Sequence, residues 1–291
     1  MGEKEKIMSK DIPWAELKIG DKFGLLELPY IERYFTCEMD QLGPIHTKES
    51  PWGGPVYPAM YMATLLGLRL IGSKYDSHAT VPARLSQKNI NPADLDKKLF
   101  LSGVLIDKYI RRGLEYAVIE SLMTDEDGLE IRHTTDHFLL SLEKRTDIQD
   151  IKGQTDMAAI EDLKTGDEIL SSTRIAYQRA LDEFPFLPDS SHRDNYARTK
   201  GYPAALLSGY VLCGYLSKYF EDFFGTAWFT TVDIELAFIR AVHQKQQITI
   251  RASLAEKAEE KDGTRLILAF CIEQADGTLN VKGKASGIIK K

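Results

Sequence analysis

The chain has 291 residues, of which 43% are hydrophobic and 27% charged, values that exclude a mostly disordered protein and leave room for two domains. The formal net charge is −6 and no basic stripe occurs, so no nucleic-acid partner is expected. Scattered cysteines, an N-terminus without the apolar core of a signal peptide, and apolar stretches too short for a bilayer predict a cytoplasmic protein without a membrane span.

In chain order, an apolar helix is predicted first, over Ala59–Leu70. Alternating apolar residues then predict three strands, at Leu101–Tyr109, Tyr116–Met123 and Ile131–Leu142. A second helix is predicted over Tyr210–Phe223, because its apolar residues recur at spacings of three and four. Further strands are predicted at Val232–Phe238, Ile248–Ile250, Leu266–Ile272 and Val281–Ile289, with Asp-Gly turns between them. Antiparallel strands that wrap one long central helix, twice along the chain, predict an α+β architecture.

The sequence also repeats itself. Leu17–Asp21, read as LKIGD, recurs 146 residues later as Leu163–Asp167, read as LKTGD, and the same offset relates His46 to His192. Two further matches have offsets of 149 and 150 residues, Asp127-Gly128 with Asp276-Gly277 and Gly113 with Gly263. Nearly constant offsets indicate a tandem duplication. We therefore predict an N-terminal half at 1–145, a polar linker at 146–159 and a C-terminal half at 160–291.

A motif precedes the second helix. It comprises Pro188-Asp189, the His192-Arg193-Asp194 triplet, Ala197, Gly201 and the Leu206–Gly209 stretch. In order and spacing it resembles the Gly-Asp-x-Asn-Pro-x-His-x-Asp segment, with the Ala and Gly that follow, of the MaoC-like (R)-specific enoyl-CoA hydratases and dehydratases. The N-terminal half keeps a shorter version, Pro44-Ile45-His46. The resemblance covers nearly the whole chain and implies a tandem (double) hotdog fold. It also implies an acyl-thioester ligand, carried by CoA or acyl carrier protein, and no metal or other cofactor.

The resemblance nominates two acid–base pairs. His192 with Asp189 is the first, and His46 with Asp40 is the second, because hydration needs a base for water and an acid for the α-carbon. The alternative for the first pair is structural, with Asp189 capping a turn and His192 held by hydrogen bonds. Which half holds the site stays open.

Substrate-binding residues are expected at the start of the second helix. Ser208 and Gly209 lead into that helix, whose backbone N–H groups are suited to a thioester oxygen, and Gly201 belongs to the same motif.

The motif is incomplete, and this leaves more than one function open. Leu187 stands where the family has its catalytic aspartate, and Asp189 stands where it has asparagine; Gln41 and Gly43 occupy these places in the N-terminal half. The expected function is a lyase that hydrates a 2-enoyl thioester or dehydrates a 3-hydroxyacyl thioester. The alternatives are a hotdog thioesterase and a non-catalytic acyl-CoA-binding protein or partner subunit. A homodimer of double hotdogs is the expected assembly.

Overall fold

The fold is given by a computed structural model, which describes residues 14–28, 50–73, 80–140, 144–146, 149–155, 168–176, 192–199 and 202–290. The N-terminal part contains β1 (Lys22–Leu28), α1 (Leu65–Gly72), β2 (Val81–Asn89), β3 (Leu99–Arg111), β4 (Leu114–Asp125) and β5 (Glu130–Leu139). The C-terminal part contains β6 (Glu168–Ile175), α2 (Asp194–Thr199), α3 (Gly209–Phe224), a 3₁₀ helix (Gly225–Phe229), β7 (Asp233–Phe238), β8 (Gln247–Glu260), β9 (Gly263–Gln274) and β10 (Leu279–Ile289). The seven predicted strands correspond to β3–β5 and β7–β10.

Within the described residues the strands form one ten-stranded sheet in the order β1-β3-β4-β5-β2-β7-β10-β9-β8-β6. Read outward from its middle, each half of the sheet has the same order. The central contact pairs β2 with β7 antiparallel, with Leu85 opposite Leu236. Because these are corresponding strands of the two halves, their antiparallel pairing relates the halves by a pseudo-twofold axis. The sheet therefore has the internal symmetry that the sequence repeat predicts.

Two hairpins explain why a glycine recurs at an offset of 150. Gly113 ends the turn between β3 and β4 with a φ of 73°, and Gly263 follows the turn between β8 and β9 with a φ of 155°. A Cβ at Gly113 would collide with the carbonyl of Arg145, and one at Gly263 with the carbonyl of Ile289. At Gly113 the chain that follows β5 passes close to the hairpin, and at Gly263 the end of β10 does, so only glycine leaves the necessary space.

The helices differ between the halves. The predicted second helix is confirmed as α3, whose 16 residues bury Leu212, Leu216 and Phe220. The prediction of a long central helix in the N-terminal half is wrong, because α1 has only eight residues and begins at Leu65. The preceding chain is irregular, with left-handed φ values at Met62 (56°) and Thr64 (67°). No helix within the described residues has the length and apolar character needed to cross a membrane.

The described part of the predicted linker packs back against the sheet. Ile151 pairs with Ile110 of β3. The carboxylate of Asp107 accepts hydrogen bonds from the Thr155 backbone N–H at 2.6 Å and from its hydroxyl at 2.7 Å. These contacts anchor residues 149–155 on β3, whereas the boundaries at 145 and 160 stay predictions.

Asp136 is an acidic side chain that lies inside the core. Asp136 of β5 is fully buried, and its Oδ2 lies 3.1 Å from the place where a Cβ on Gly67 of α1 would be. Neither carboxylate oxygen has a hydrogen-bond partner in the described part of the chain. Burial raises the pKa of Asp136 from 3.8 to about 7, although the charge of Arg132 opposes the shift. The carboxyl group is therefore largely protonated below neutral pH.

We expect Asp136→Asn to stabilise the protein at pH 8 much more than at pH 5. The native state holds this proton more tightly than the unfolded state, so the wild type loses stability as the pH rises from about 4 to about 7. The difference between pH 5 and pH 8 is about 3 kcal/mol, since the native pKa of about 7 lies about two units above pH 5 and one pKa unit corresponds to about 1.4 kcal/mol. Urea unfolding at both pH values measures it, with the exposed Asp96→Asn as the control. An equal gain at pH 5 and pH 8 would contradict the expectation.

Candidate active site

The segment before α3 is held in an extended conformation beside the chain that follows β7. The Leu207 N–H donates to the carbonyl of Val242 at 2.7 Å, and the Gln244 N–H donates to the carbonyl of Ala205 at 3.0 Å. These bonds fix both sides of Leu206. The direction of the Leu206 carbonyl is therefore set by backbone pairing.

His192 is bound to that carbonyl. Its Nδ1 lies 2.8 Å from the Leu206 oxygen. A carbonyl oxygen can only accept, so Nδ1 carries the proton and Nε2 carries the lone pair of the neutral ring. Burial lowers the pKa of His192 below its ordinary 6.5, while the bond to Leu206 opposes the shift. At neutral pH the ring is therefore uncharged and Nε2 is basic.

Asp194 connects α2 to the same segment. Its Oδ1 accepts a hydrogen bond from the Ala205 N–H at 2.7 Å, and its Oδ2 lies 3.8 Å from the guanidinium of Arg198. This geometry supports a structural role for Asp194, the aspartate of the His-x-Asp triplet. Asp194 holds the segment whose next residue, Leu206, orients the histidine.

The N-terminus of α3 follows directly. Ser208 has an extended backbone, with φ −69° and ψ 146°, and its carbonyl accepts from the Val211 N–H at 3.1 Å. The N–H groups at the very start of a helix, before Val211 here, lack intrahelical acceptors, and they carry the positive end of the helix dipole. A base on His192 and a set of N–H donors are thus fixed by one short segment.

The structure gives Gly209 a packing role. A Cβ at Gly209 would lie 3.0 Å from Cγ of Pro82 and 3.3 Å from Cε1 of Phe238. The glycine allows α3 to approach β2 and β7 closely. Its predicted contact with a thioester stays a prediction, as does that of Ser208.

The N-terminal half contains the same backbone ladder. The Tyr57 N–H donates to the carbonyl of Ala93 at 2.8 Å, and the Leu95 N–H donates to the carbonyl of Pro55 at 3.0 Å. Tyr57 and Pro55 precede Leu207 and Ala205 by 150 residues. The point at which α3 begins therefore corresponds to residues 58–59.

At that point the N-terminal half uses its N–H groups internally. The Tyr61 N–H donates to the carbonyl of Pro58 at 2.8 Å, and the Ala63 N–H to the carbonyl of Met60 at 2.9 Å. The Met60 N–H donates to Oγ of Ser217, in α3, at 3.3 Å. The Tyr61 bond has its counterpart in α3, where Val211 donates to Ser208, so the difference between the halves lies in the Met60 N–H, which is occupied by Ser217.

Of the predicted site residues, the structure brings together His192, Ser208 and Gly209. The other four, Asp189, His46, Asp40 and Gly201, lie outside the described residues. Sequence reasoning missed Leu206, because its contribution is a backbone carbonyl and no side-chain pattern marks it.

No protein-family model matches this sequence, and no curated protein is significantly similar to it. Solved structures are similar in fold. A MaoC-like dehydratase from Phytophthora capsici is 11% identical, with a TM-score of 0.69, over 96% of this chain and 98% of that one. A conserved hypothetical protein of Mycobacterium tuberculosis with a double hotdog fold is 11% identical, with a TM-score of 0.63, over 94% and 97%.

A third similar structure is a putative oleoyl thioesterase from Lactobacillus plantarum. It is 9% identical, with a TM-score of 0.53, over 93% of this chain and 96% of that one. At these identities the likeness concerns architecture alone. The chain has the double hotdog fold found in MaoC-like dehydratases, as the motif resemblance predicts.

Proposed function

We propose that this protein is a hydro-lyase that hydrates a 2-enoyl thioester, or dehydrates a 3-hydroxyacyl thioester, of CoA or acyl carrier protein. The observation that carries the proposal is the hydrogen bond from His192 Nδ1 to the Leu206 carbonyl. It leaves Nε2 as a base and ties it to the N-terminus of α3, two residues further along the chain.

In the hydration direction, His192 Nε2 removes a proton from water while the water oxygen bonds to the β-carbon. The π electrons of the double bond move to the thioester, and the first N–H groups of α3 stabilise the resulting enolate oxygen. The imidazolium then returns its proton to the α-carbon, so that one water is added in total. The neutral state of His192 at pH 7 suits the first step.

A carboxylate that orients the water is expected from Asp189. The family's aspartate position is occupied by Leu187, which has no lone pair, whereas Asp189 is three residues from His192. The N-terminal half is proposed to shape the acyl pocket, since the Met60 N–H at its corresponding turn is occupied by Ser217.

Two other functions have support. The likeness to a putative oleoyl thioesterase favours thioester hydrolysis. Leu187 favours a protein that binds acyl-CoA without turnover, because it removes the expected catalytic carboxylate. Since folds host many activities, chemistry must decide among the three functions.

We expect the protein to decrease the conjugated-enoyl absorbance of at least one member of a panel of straight, branched and aromatic 2-enoyl-CoA compounds. Release of free CoA thiol from saturated acyl-CoA is measured in parallel. Thiol release without hydration identifies a thioesterase. Binding in calorimetry without either reaction would reject the hydro-lyase and leave the binding protein.

We expect His192→Ala to lower kcat/KM for the preferred substrate by roughly a hundred- to ten-thousand-fold, the usual contribution of one acid–base group. His133→Ala is the matched control, because His133 is exposed on β5 and contacts Glu130. Circular dichroism and thermal unfolding show whether each variant is folded. Full activity in His192→Ala, together with a large loss in His46→Ala, would move the site to the N-terminal half.

The pH profile tests the protonation state of His192. A base acts only when deprotonated, and the pKa of His192 is lowered from 6.5, so kcat/KM should fall as His192 is protonated, with the midpoint of this acid limb below pH 6.5. The rate is measured across pH 5 to 8 in buffers of equal ionic strength. An acid limb with its midpoint at or above pH 6.5 would contradict this assignment.

A further inference from the structure

Arg174 is an arginine of β6, the strand at the C-terminal edge of the described sheet. Its guanidinium carbon lies 4.6 Å from the centre of the Tyr215 ring, and Tyr215 is a buried residue of α3. The side chain of Arg174 is therefore directed towards α3. This contact places a positive charge between the sheet and the helix that begins at the candidate active site.

The N-terminal half has a leucine at the corresponding place. Arg174 lies opposite Ile248 of β8, and Leu28 of β1 lies opposite Leu99 of β3. Leu99 and Ile248 are 149 residues apart, and Leu28 and Arg174 are 146 residues apart, which are offsets of the sequence repeat. Leu28 is buried in the core. The fold of a half therefore does not require a cation here, and the position is charged in the half that contains His192.

The described residues around Arg174 do not balance its charge. Its Nε is buried and has no hydrogen-bond partner, and within the described part of the chain no carboxylate forms a salt bridge with it. The ring of Tyr215 attracts the cation but is itself neutral. The side chain as a whole is partly exposed, so a ligand can reach it. A partly buried cation without a counterion favours an anion beside it.

Backbone hydrogen bonds connect Arg174 to the candidate active site. Ala176, two residues further along the chain, exchanges backbone bonds with residues 245 and 246. Residue 244 donates to the carbonyl of Ala205, which precedes the residue that binds His192. Tyr215 is six residues from the start of α3, which is about 9 Å at the rise of an α-helix. A ligand whose thioester lies at the N-terminus of α3 can therefore extend to Arg174.

We infer that Arg174 binds an oxyanion group of the substrate thioester, which is either a phosphate of the carrier or a carboxylate on the acyl chain. Both groups present oxygens that a guanidinium binds through paired N–H donors. The inference rests on the proposed function, because it concerns the same thioester. It adds a specificity-determining residue that lies outside the His-x-Asp motif.

Calorimetry with thioether analogues tests the inference, because neither hydration nor thioester hydrolysis consumes them. S-hexyl-pantetheine is the neutral reference. S-hexyl-CoA adds the phosphates, and S-hexyl-pantetheine with a carboxylate at the end of the hexyl chain adds that group alone. At constant ionic strength and pH 7, one of the two anionic analogues should bind the wild type about tenfold or more above the reference, which corresponds to about 1.4 kcal/mol. The analogue that gains affinity identifies the oxyanion, and equal affinities of all three would overturn the inference.

A variant then tests the cation. Arg174→Met should abolish this gain and leave binding of the neutral reference little changed. Arg251→Met is the matched control, because Arg251 is an exposed arginine that pairs with Glu273. A gain that survives in Arg174→Met would overturn the inference. If that variant does not fold, Arg174→Leu replaces it, since leucine occupies the corresponding place in the N-terminal half. The gain should persist in His192→Ala, whose loss of turnover tests the proposed activity separately.

Discussion

Buried hydrogen bonds connect β2 to the 3₁₀ helix and α3, and they join the two halves to each other. Gln87 Nε2 donates to the Asn89 side chain at 2.7 Å, and Asn89 Nδ2 donates to the carbonyl of Trp228 at 2.6 Å. The Trp228 indole N–H donates to Ser217 Oγ at 3.1 Å, and the same oxygen accepts the Met60 N–H. These bonds therefore join β2 of the N-terminal half to Trp228 and Ser217 of the C-terminal half, and Ser217 in turn to Met60 of the N-terminal half. Since its members are buried, the loss of one partner would leave another unsatisfied in a low-dielectric interior.

Side-chain hydrogen bonds also explain why the two halves differ after the backbone ladder that they share. In a regular helix the carbonyl of Ala59 would accept the N–H of Ala63. Here the side chains of Gln87 and Arg132 donate to the Ala59 carbonyl instead, both at 2.7 Å. The left-handed conformation of Thr64 costs free energy, of order 1–3 kcal/mol, that these buried bonds must offset. In the C-terminal half α3 begins without interruption, and its first N–H groups remain directed along the helix axis.

The sequence predicts the parts that depend on local patterns. Alternation and Asp-Gly turns are enough to find most strands, and the motif identifies His192. The sequence does not predict the central strand β2, because its buried positions include the polar Gln87 and Asn89. The sequence also places the start of α1 too early, because the apolar run from residue 59 favours a helix. The side chains that prevent a helix there, Gln87 and Arg132, lie at least 28 residues away in sequence. Leu206 acts through its carbonyl, which no residue pattern reveals.

The two corresponding places in the halves are both electropositive, but in different degrees. At α3 the positive potential comes from N–H dipoles, whose partial charge suits a thioester oxygen that becomes anionic only during reaction. In the N-terminal half it comes from the full charge of Arg132, held by the carbonyls of Ala59 and Tyr61. The shortening of α1 and the burial of Arg132 are thus parts of one arrangement, because the guanidinium binds the Ala59 carbonyl that a regular helix would use, whereas α3 in the other half stays intact.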